Sequence, residues 1–244
     1  MQVSSRICRS GTPKTYFTDA NILQTFYYVD EYTGKMFIPH CKRFMLDSGA
    51  FSFKQRPGMR IDWDGYVDRY TEYIKQNNID LFFEMDIDRV IGLKEVERLR
   101  RKIERQTGKQ PIPVFHKQRG KDYFISMCKD YPYVAVGGIA KEQRLVGERL
   151  KSLRWFIETA HEHGAKIHGL GFTYITSLPV YRFDSVDSTA WTSGNRFGTM
   201  YKFTGNTLEV IKKPAGKRMA NHRAIALHNF REWKKFAKYA ETHF

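Results

Sequence analysis

Short apolar segments that end in polar or glycine residues alternate along the chain with amphipathic segments of helical length. The apolar segments are rich in β-branched and aromatic residues, as strands are, and the segments between them repeat apolar residues at helical spacing. The predicted strands are 43–51, 80–88, 112–116, 133–140, 166–172 and 183–189, and the predicted helices are 63–76, 93–107, 121–129, 143–163 and 174–181. This alternation predicts a parallel sheet with helices packed outside it.

Polar residues and glycines fall at the end of one predicted strand after another, which favours a closed barrel over an open sheet. An open doubly wound fold usually has a glycine-rich turn between its first strand and first helix, and this sequence has none there. In a barrel the strand ends form one ring around one mouth. The residues at these ends are Asp47, Asp86, His116, Gly137, Gly138, Gly169, Gly171 and Asp187. We therefore predict an α/β fold of the TIM-type (β/α)8 barrel class, in which the first and last strands are the least well defined.

The pattern changes near the C-terminal end of the sequence. Two short strands around a Gly-Asn turn predict a β-hairpin insertion over 193–213, and 217–244 is predicted to be a basic helix. The 244 residues are about the number that one barrel needs, roughly 250. We therefore treat 1–244 as a single barrel domain with these two appendages.

The chain has a formal net charge of +15 at pH 7, which is typical of proteins that bind a phosphate backbone. The charge is concentrated in the C-terminal helix, for which a solvated helix face is the alternative interpretation. Aromatic residues between these charges could pack the helix down or stack on bases, and their helical spacing favours packing.

Two further features concern the cellular compartment. No apolar run approaches the ~20 residues of a membrane span, so we expect a soluble protein without a membrane partner. Cys8, Cys41 and Cys128 are widely separated and show no C-x-x-C spacing. They are interpreted as free thiols of a cytoplasmic protein.

Acidic residues at strand ends are the first candidates for chemistry. Asp47 ends an apolar segment and precedes Ser48 and Gly49, where the backbone has to turn tightly; a helix cap or a turn carboxylate is the alternative. Asp184 and Asp187 are three residues apart, so on a strand they should lie on opposite faces and have different roles.

A second acidic segment contains Glu84, Asp86 and Asp88. Period-two alternation would place all three on one face of the strand, with Asp86 and Asp88 nearest the mouth. Acids inside a barrel are costly unless they are paired or functional. A Mg²⁺ site made from these acids and a capping role at the next helix both stay open.

Glycines and histidines complete the candidate set. Gly137, Gly138, Gly169 and Gly171 would allow a flat ligand to lie against the backbone, or would serve close strand–helix packing. Only His116 and His168 lie in strand-like segments. No H-x-x-x-H spacing occurs in the sequence, so no histidine-based metal site is expected.

Five of these segments together resemble the tRNA-guanine transglycosylase superfamily. LDSGAF, the MD of FFEMDID, AVGGIA, HGLGF and the D-S-V-D-S strand before a hairpin occur in the family's order. The family has D-S-G-G-[FY]-Q, F-D-E, V-G-G-L-A, M-G-V-G and I-D-M-F-D-C-V. The resemblance covers roughly residues 43–212 and implies a barrel that exchanges a nucleic-acid base.

The resemblance also implies roles for individual residues. Asp187 would be the nucleophile at C1′ of a guanosine. Asp47, next to Ser48 and Gly49, would protonate the departing guanine and later deprotonate the incoming base. Asp86 would bind the N1 and N2 edge of guanine, and Gly137 and Gly138 would contact the base through the backbone. His116 lies near the position of a family glutamine that binds the guanine carbonyl. This use of two carboxylates follows the logic of retaining glycoside chemistry.

The departures from the family concern the metal and the acceptor. The tRNA enzymes have a C-x-C-x-x-C…H zinc site after the hairpin, and this chain has no cysteine there, so we expect no metal and no cofactor. A short, basic version without zinc resembles the DNA 7-deazaguanine transglycosylases of phages and bacterial modification islands. That resemblance implies a bacterial or phage-infected cytoplasm, DNA and a 7-deazaguanine base such as preQ0 as substrates, and DNA contacts from Arg196, Lys212, Lys213, Lys217, Arg218 and Arg223.

Several alternatives stay open at this point. The acceptor could be tRNA, the protein could be a nucleic-acid-binding barrel without activity, or the acids could serve a Mg²⁺-dependent phosphodiester enzyme. Whether the chain forms a homodimer is also open.

Overall fold

The computed structural model describes residues 17–29, 34–35, 37–53, 61–138, 148–172, 174–192, 198–212 and 221–244. The strands are β1 (Asn21–Thr25), β2 (Arg43–Asp47), β3 (Leu81–Phe82), β4 (Val114–Phe115), β5 (Tyr133–Val136), β6 (Lys166–Gly169), β7 (Ser185–Val186), β8 (Thr199–Phe203) and β9 (Leu208–Lys212). The helices are α1 (Ala50–Phe53), α2 (Trp63–Gln76), α3 (Asp88–Ile91), α4 (Leu93–Thr107), α5 (Lys121–Asp130), α6 (Glu148–Glu162) and α7 (His222–His243).

Strands β1 to β7 form a row of parallel strands in chain order. One ladder contains β1, β2 and β3, and a second contains β4 to β7. The ladders meet where Phe83 and Ile112 form a parallel bridge, in which the Ile112 N–H donates to the Phe82 carbonyl and the Glu84 N–H donates to the Ile112 carbonyl. Among the described strands no ladder joins β7 to β1. The fold is therefore a mixed α/β fold on parallel strands, and no closed barrel is seen in it.

The two faces of this row have separate apolar cores. On one face a small inner cluster forms from side chains of β1, β3, β4 and β5 and their flanks, namely Leu23, Phe83, Ile112, Val114 and Ala135. On the other face Leu46 and Phe82 pack with residues of α2 and α4 such as Tyr70 and Leu99. Alternating side chains thus cover both surfaces of the sheet, as expected for strands with helices on one side and a filled interior on the other.

Helix α2 shows how the sequence fixes an outer helix. The Asp62 carboxylate accepts a hydrogen bond from the Gly65 N–H at 2.9 Å and caps the helix. The buried Tyr70 hydroxyl donates toward the carbonyl of Phe83 at 2.9 Å and lies 3.1 Å from that of Leu46. These bonds attach the helix to β2 and β3 close to their carboxyl ends, where candidate site residues follow.

The hairpin and the C-terminal helix form one unit. β8 and β9 pair antiparallel, and the fully buried Asn229 of α7 accepts from the Tyr201 N–H and donates to the carbonyls of Trp191 and Thr199. Phe230, Trp233 and Phe236 are buried, which confirms the prediction that these aromatic residues pack the helix down. Neither α7 nor any other described helix is long and apolar enough to cross a membrane.

The main differences from the sequence predictions are two misjudged segments and one strand that was not predicted. The segment 174–181 contains only a 3-10 turn at Ile175–Ser177, because Pro179 lacks the N–H that a continuing helix requires. The strand predicted at 80–88 forms a ladder only at Leu81–Phe82, with the bridge at Phe83. The first strand, β1, was not predicted, because its buried Gln24 and Thr25 hide the alternation of apolar residues.

Candidate active site at the carboxyl ends of the strands

Asp47 and Asp187 lie on the same face and at the same edge of the parallel row. Asp47 ends β2, two residues after Met45, which packs against the inner cluster. Asp187 directly follows β7, two residues after Ser185, which pairs with His168 of β6. Side chains two residues apart on a strand share a face. Both carboxylates therefore continue the inner face at the carboxyl ends of the strands, which we call the mouth.

The surroundings of Asp47 favour its protonated form. Burial, and then the negative charges of Asp86 and Asp187, raise the pKa of Asp47 to about 7. Near neutral pH this carboxyl group therefore holds a proton for a large part of the time. Gly49 has a φ of +75°, and a Cβ there would lie 2.7 Å from the backbone nitrogen of Tyr27, so the tight turn after Asp47 requires glycine.

The surroundings of Asp187 favour its ionised form. Burial acts to raise its pKa, but the hydrogen bond and charge of His168 and the hydrogen bond from the Gly171 N–H outweigh it, so that the pKa lies below its usual value. The Gly171 N–H donates to Asp187 Oδ1 at 2.6 Å, and His168 Nε2 lies 3.4 Å from the same oxygen. The two aspartates thus differ in the protonation state that their surroundings favour.

Asp86 and His116 form a pair at the same mouth. The His116 imidazole Nε2 is hydrogen bonded to Asp86 Oδ1. Gly137 leaves room for this ring, since a Cβ at position 137 would lie 2.6 Å from His116 Cε1. Gly138 follows with a φ of +85°, in the left-handed region that favours glycine. The chain therefore turns closely around the imidazole.

The other acids of the same segment hold buried arginines. Glu84 is fully buried, accepts from the Val114 N–H at 2.8 Å, and forms ion pairs with Arg100 at 3.4 Å and Arg119 at 3.2 Å. Asp88 forms an ion pair with Arg119 at 3.1 Å. Glu84 therefore does not join Asp86 at the mouth, because the regular strand ends before it and its side chain contacts Arg100 of α4.

The ligand atoms of Asp86, Asp88 and His116 lie within 4.8 Å of one another, which is close enough to hold a metal ion. The Arg119 guanidinium already supplies a positive charge to Asp88 and to Glu84. A cation at this position would have to compete with that guanidinium. The arrangement thus fits a divalent cation less well than the sequence spacing suggested.

The remaining predicted site residues have mixed surroundings. Ser48 is fully buried, and its carbonyl accepts from the Tyr66 hydroxyl at 2.7 Å. A Cβ at Gly169 would lie 3.2 Å from Phe172 and Phe183, so this glycine serves close packing. Gly171 instead donates its N–H to Asp187. Of the two glycines in HGLGF, only Gly171 contacts a candidate catalytic group.

Asp184 and Asp187 lie on opposite faces, as their spacing predicted. Asp184 accepts from the Ile167 N–H at 2.8 Å and pairs with His161 on α6 at 3.0 Å. Asp187 faces His168 on the inner side. The spacing alone thus separated an outer residue from an inner one.

The predicted DNA-contacting residues are mostly outside the described part of the chain, namely Arg196, Lys213, Lys217 and Arg218. Lys212 is the last residue of β9. Arg223 is exposed in the first turn of α7.

Three residues linked to Asp187 had no role predicted from the sequence. His168, Ser185 and Tyr133 are linked by hydrogen bonds on the inner face. Counting two residues back from Asp187 points to Ser185, and the histidine of HGLGF was visible in the sequence. Only the strand order β5–β6–β7, which a sequence does not display, brings the three together.

A cavity of about 870 Å³ lies beside Asp187, between β1, β7 and α7. Its lining includes Leu23, His168, Asp187 and Trp233. Asp47, Asp86 and His116 do not line this cavity, and it extends to Lys42 and Lys166 at the amino ends of the strands, so it is not the space that the mouth residues share.

No protein-family model and no curated protein matches the chain. Among solved structures the chain is similar to octameric ribulose-1,5-bisphosphate carboxylase/oxygenase (Rubisco) from Pyrococcus horikoshii OT3, with a TM-score of 0.30 and 15% sequence identity. The similarity covers 58% of this chain and 35% of that chain.

Proposed function

We propose that the protein is a DNA-guanine transglycosylase, which exchanges guanine in DNA for a 7-deazaguanine base such as preQ0. One observation carries the proposal: Asp47 and Asp187 share one face and one mouth, yet the pKa of Asp47 is raised to about 7 and that of Asp187 is lowered. Two carboxyl groups whose pKa values are pushed apart can serve as proton donor and nucleophile. The resemblance to the transglycosylases gives these groups a substrate.

In the first step a carboxylate oxygen of Asp187 forms a bond to C1′ of the target nucleotide. The bond from C1′ to N9 of guanine breaks, its electron pair leaves with the base, and the base takes the proton of Asp47. In the second step the incoming base loses its N9 proton to Asp47, and N9 attacks C1′ as the bond to Asp187 breaks. Two inversions keep the configuration at C1′, and the strand is never cut.

The groups beside the two aspartates would bind the guanine base. Asp86, held by His116, would accept the N1 and N2 protons of guanine, and the backbone at Gly137 and Gly138 would border the base. The target base has to leave its stack to reach the mouth, so the substrate is single-stranded or the base is flipped. We propose that the seven parallel strands are the wall of a TIM-type barrel.

A base-exchange assay tests the proposal. Purified protein should incorporate labelled guanine or preQ0 into DNA, and Asp187→Ala and Asp47→Ala should each lower the rate by about 10³-fold or more. Asp184→Asn is the matched control, because Asp184 lies on the outer face, and it should retain activity. On denaturing gels Asp187→Ala should form no covalent DNA adduct. Exchange at the wild-type rate by either alanine variant would refute the assignment.

Two further arms separate the alternatives. Phage DNA and bulk tRNA are offered in parallel, and the basic chain without a zinc site leads us to expect exchange into DNA. The same assay in EDTA should proceed undiminished. Loss of exchange in EDTA, restored by Mg²⁺, would instead favour a metal-dependent reaction at Asp86, Asp88 and His116.

A further inference from the structure

The structure links Asp187 to a chain of donors, of which His168 is buried and Ser185 and Tyr133 are half-buried. Tyr133 Oη lies 2.6 Å from Ser185 Oγ, and Ser185 Oγ is hydrogen bonded to His168 Nδ1. His168 Nε2 lies 3.4 Å from Asp187 Oδ1. His168 is 1% exposed, and its ring stands edge-on to Phe83 with the centroids 5.2 Å apart. The imidazole is therefore held from two sides.

The hydrogen bonds of this chain can all run in one direction. An ionised Asp187 only accepts, so His168 Nε2 has to carry the proton that it donates. When the imidazole carries only this proton, Nδ1 accepts from the Ser185 hydroxyl, and Ser185 accepts from Tyr133. The charged imidazole that lowers the pKa of Asp187 carries a second proton on Nδ1, which it would instead donate to Ser185. Burial raises the pKa of Tyr133 to about 12, so its hydroxyl keeps the proton that it donates. Every member of the chain is satisfied when the chain ends on a carboxylate.

Both contacts to Asp187 are made with the same oxygen. The Gly171 N–H and His168 Nε2 each contact Oδ1. Among the described residues this leaves Oδ2 as the oxygen that can approach C1′. The distance of 3.4 Å from His168 is long for a hydrogen bond, as is common for catalytic contacts before the substrate is bound.

Building on the proposed function, we infer that His168 is a positioning residue for Asp187. Held by Ser185 and Tyr133, it selects Oδ2 as the attacking oxygen and stabilises the carboxylate that re-forms when the bond from C1′ to Oδ2 breaks. The transglycosylase pattern M-G-V-G has methionine where this chain has His168, so the residue is a departure from that pattern. His168 therefore acts mainly in the second half of the reaction.

The role predicts an unequal effect on the two steps. In the first step Asp187 loses its charge, whereas in the second step it regains the charge beside His168. Removing one donor to a developing oxyanion costs about 10²–10³-fold in other enzymes. His168→Met should therefore slow release of the adduct by about 100-fold and slow its formation by less than about tenfold. The covalent adduct should accumulate, with KM for DNA unchanged.

Three variants and one spectrum test the inference. His168→Gln keeps an N–H donor and should recover most of the rate, Ser185→Ala should show a weaker form of the His168→Met defect, and the exposed His163→Gln is the control. An equal slowing of both steps, or no rescue by His168→Gln, would overturn the role. Imidazole ¹⁵N NMR does not depend on activity. It should show the Nε2–H tautomer of His168 and a shift of its signal in Asp187→Ala.

The outcomes are distinguishable from those of the base-exchange assay. If the wild type exchanges no base, the proposed function fails, and the NMR experiment still decides on the pairing. An Nδ1–H tautomer, or a signal unaffected by Asp187→Ala, would exclude the pairing of His168 with Asp187.

Discussion

At the scale of single residues, the site depends on two aspartates with opposite charge preferences. Asp47 is surrounded by other acids, whereas Asp187 accepts hydrogen bonds from His168 and Gly171. The difference in pKa is a property of the folded protein, and it has a measurable cost for stability. This cost can be tested without any assumption about the substrate.

Asp47→Asn should stabilise the protein in a pH-dependent way. The pKa of Asp47 rises from 3.8 in the unfolded chain to about 7 in the folded protein. Below pH 4 the Asp47 carboxyl group is protonated in both the folded and the unfolded protein. Between pH 4 and 7 it ionises only in the unfolded chain, so the wild type loses stability as the pH rises. The variant should gain about 2 kcal/mol relative to wild type across this window, after allowance for partial exposure of the side chain. Urea unfolding at several pH values measures it.

Asp64→Asn provides a control of opposite sign. Hydrogen bonds from Arg98 and Lys102 lower the pKa of Asp64 to about 2. Ionised Asp64 therefore adds stability above pH 4, and this stability is lost as the pH falls through 2. At neutral pH Asp64→Asn should be less stable than the wild type. A pH-independent effect of Asp47→Asn would contradict the raised pKa.

The sequence pointed to the acidic residues of the site, but it did not reveal their protonation states. Asp47, Asp86 and Asp187 stand at the ends of apolar segments, so the strand pattern was enough to select them. The state of Asp187 depends on His168, 19 residues away, and on the Gly171 N–H. Such contacts follow from strand order and backbone geometry, which no local pattern encodes.

At the scale of secondary-structure elements, buried ion pairs connect β3 to the helices around it. Glu84 follows β3 and is paired with Arg100 of α4 and with Arg119. Burial raises the pKa of Glu84, and the charges of the two arginines act against this rise. Removing the Glu84 carboxylate would take one ion pair from each of two buried guanidinium groups.

Glu84→Gln should therefore destabilise the protein by about 2–3 kcal/mol. The loss is smaller than for an unpaired buried charge, because Arg119 keeps Asp88 and Arg100 keeps Glu97 at 3.8 Å. Glu72→Gln is the matched control: its ion pair with Lys75 at 3.3 Å is half exposed, and its loss should cost less than about 1 kcal/mol. Chemical denaturation followed by circular dichroism measures both. Equal losses in the two variants would show that the Glu84 pairs do not connect the elements.

Elements were predictable where one pattern dominated. The helices predicted at 63–76 and 93–107 match α2 and α4, whose buried residues recur at helical spacing. The helix predicted at 174–181 was wrong, because a proline interrupts the helical spacing of its apolar residues. Strand β1 was not predicted, because two of its buried side chains are polar. Gln24 and Thr25 are buried beside residues far away in sequence, since they pair with Leu46 and Asp47 of β2.

At the scale of the whole molecule, α7 runs opposite to the strands beside β1 and β7. Asn229 contacts the Trp191 carbonyl, beyond the carboxyl end of β7. Glu241 contacts Asn21 and Lys42 at the amino ends of β1 and β2, each at 2.7 Å. The first turn of α7 therefore lies toward the mouth, and its last turn lies at the opposite edge of the sheet.

This direction predicts unequal roles for two exposed basic residues of α7. Arg223 in the first turn should contact DNA held at the mouth, whereas Lys238 near the last turn should not. Arg223→Glu should weaken DNA binding about tenfold at ~0.1 M salt and reduce the salt dependence, and Lys238→Glu should change it less than about twofold. The two reversals alter the net charge equally, so equal losses would indicate a general effect of charge.

The bonds at Glu241 also bear on the order in which the parts of the protein fold. They join residues 220 and 199 positions apart, so β1 is synthesised long before the helix that covers Phe17 and Ile22. Contacts this distant in sequence are made late, because the intervening chain has to be closed first. During synthesis the apolar side of β1 is therefore the surface that a chaperone, or a second unfinished chain, would encounter first.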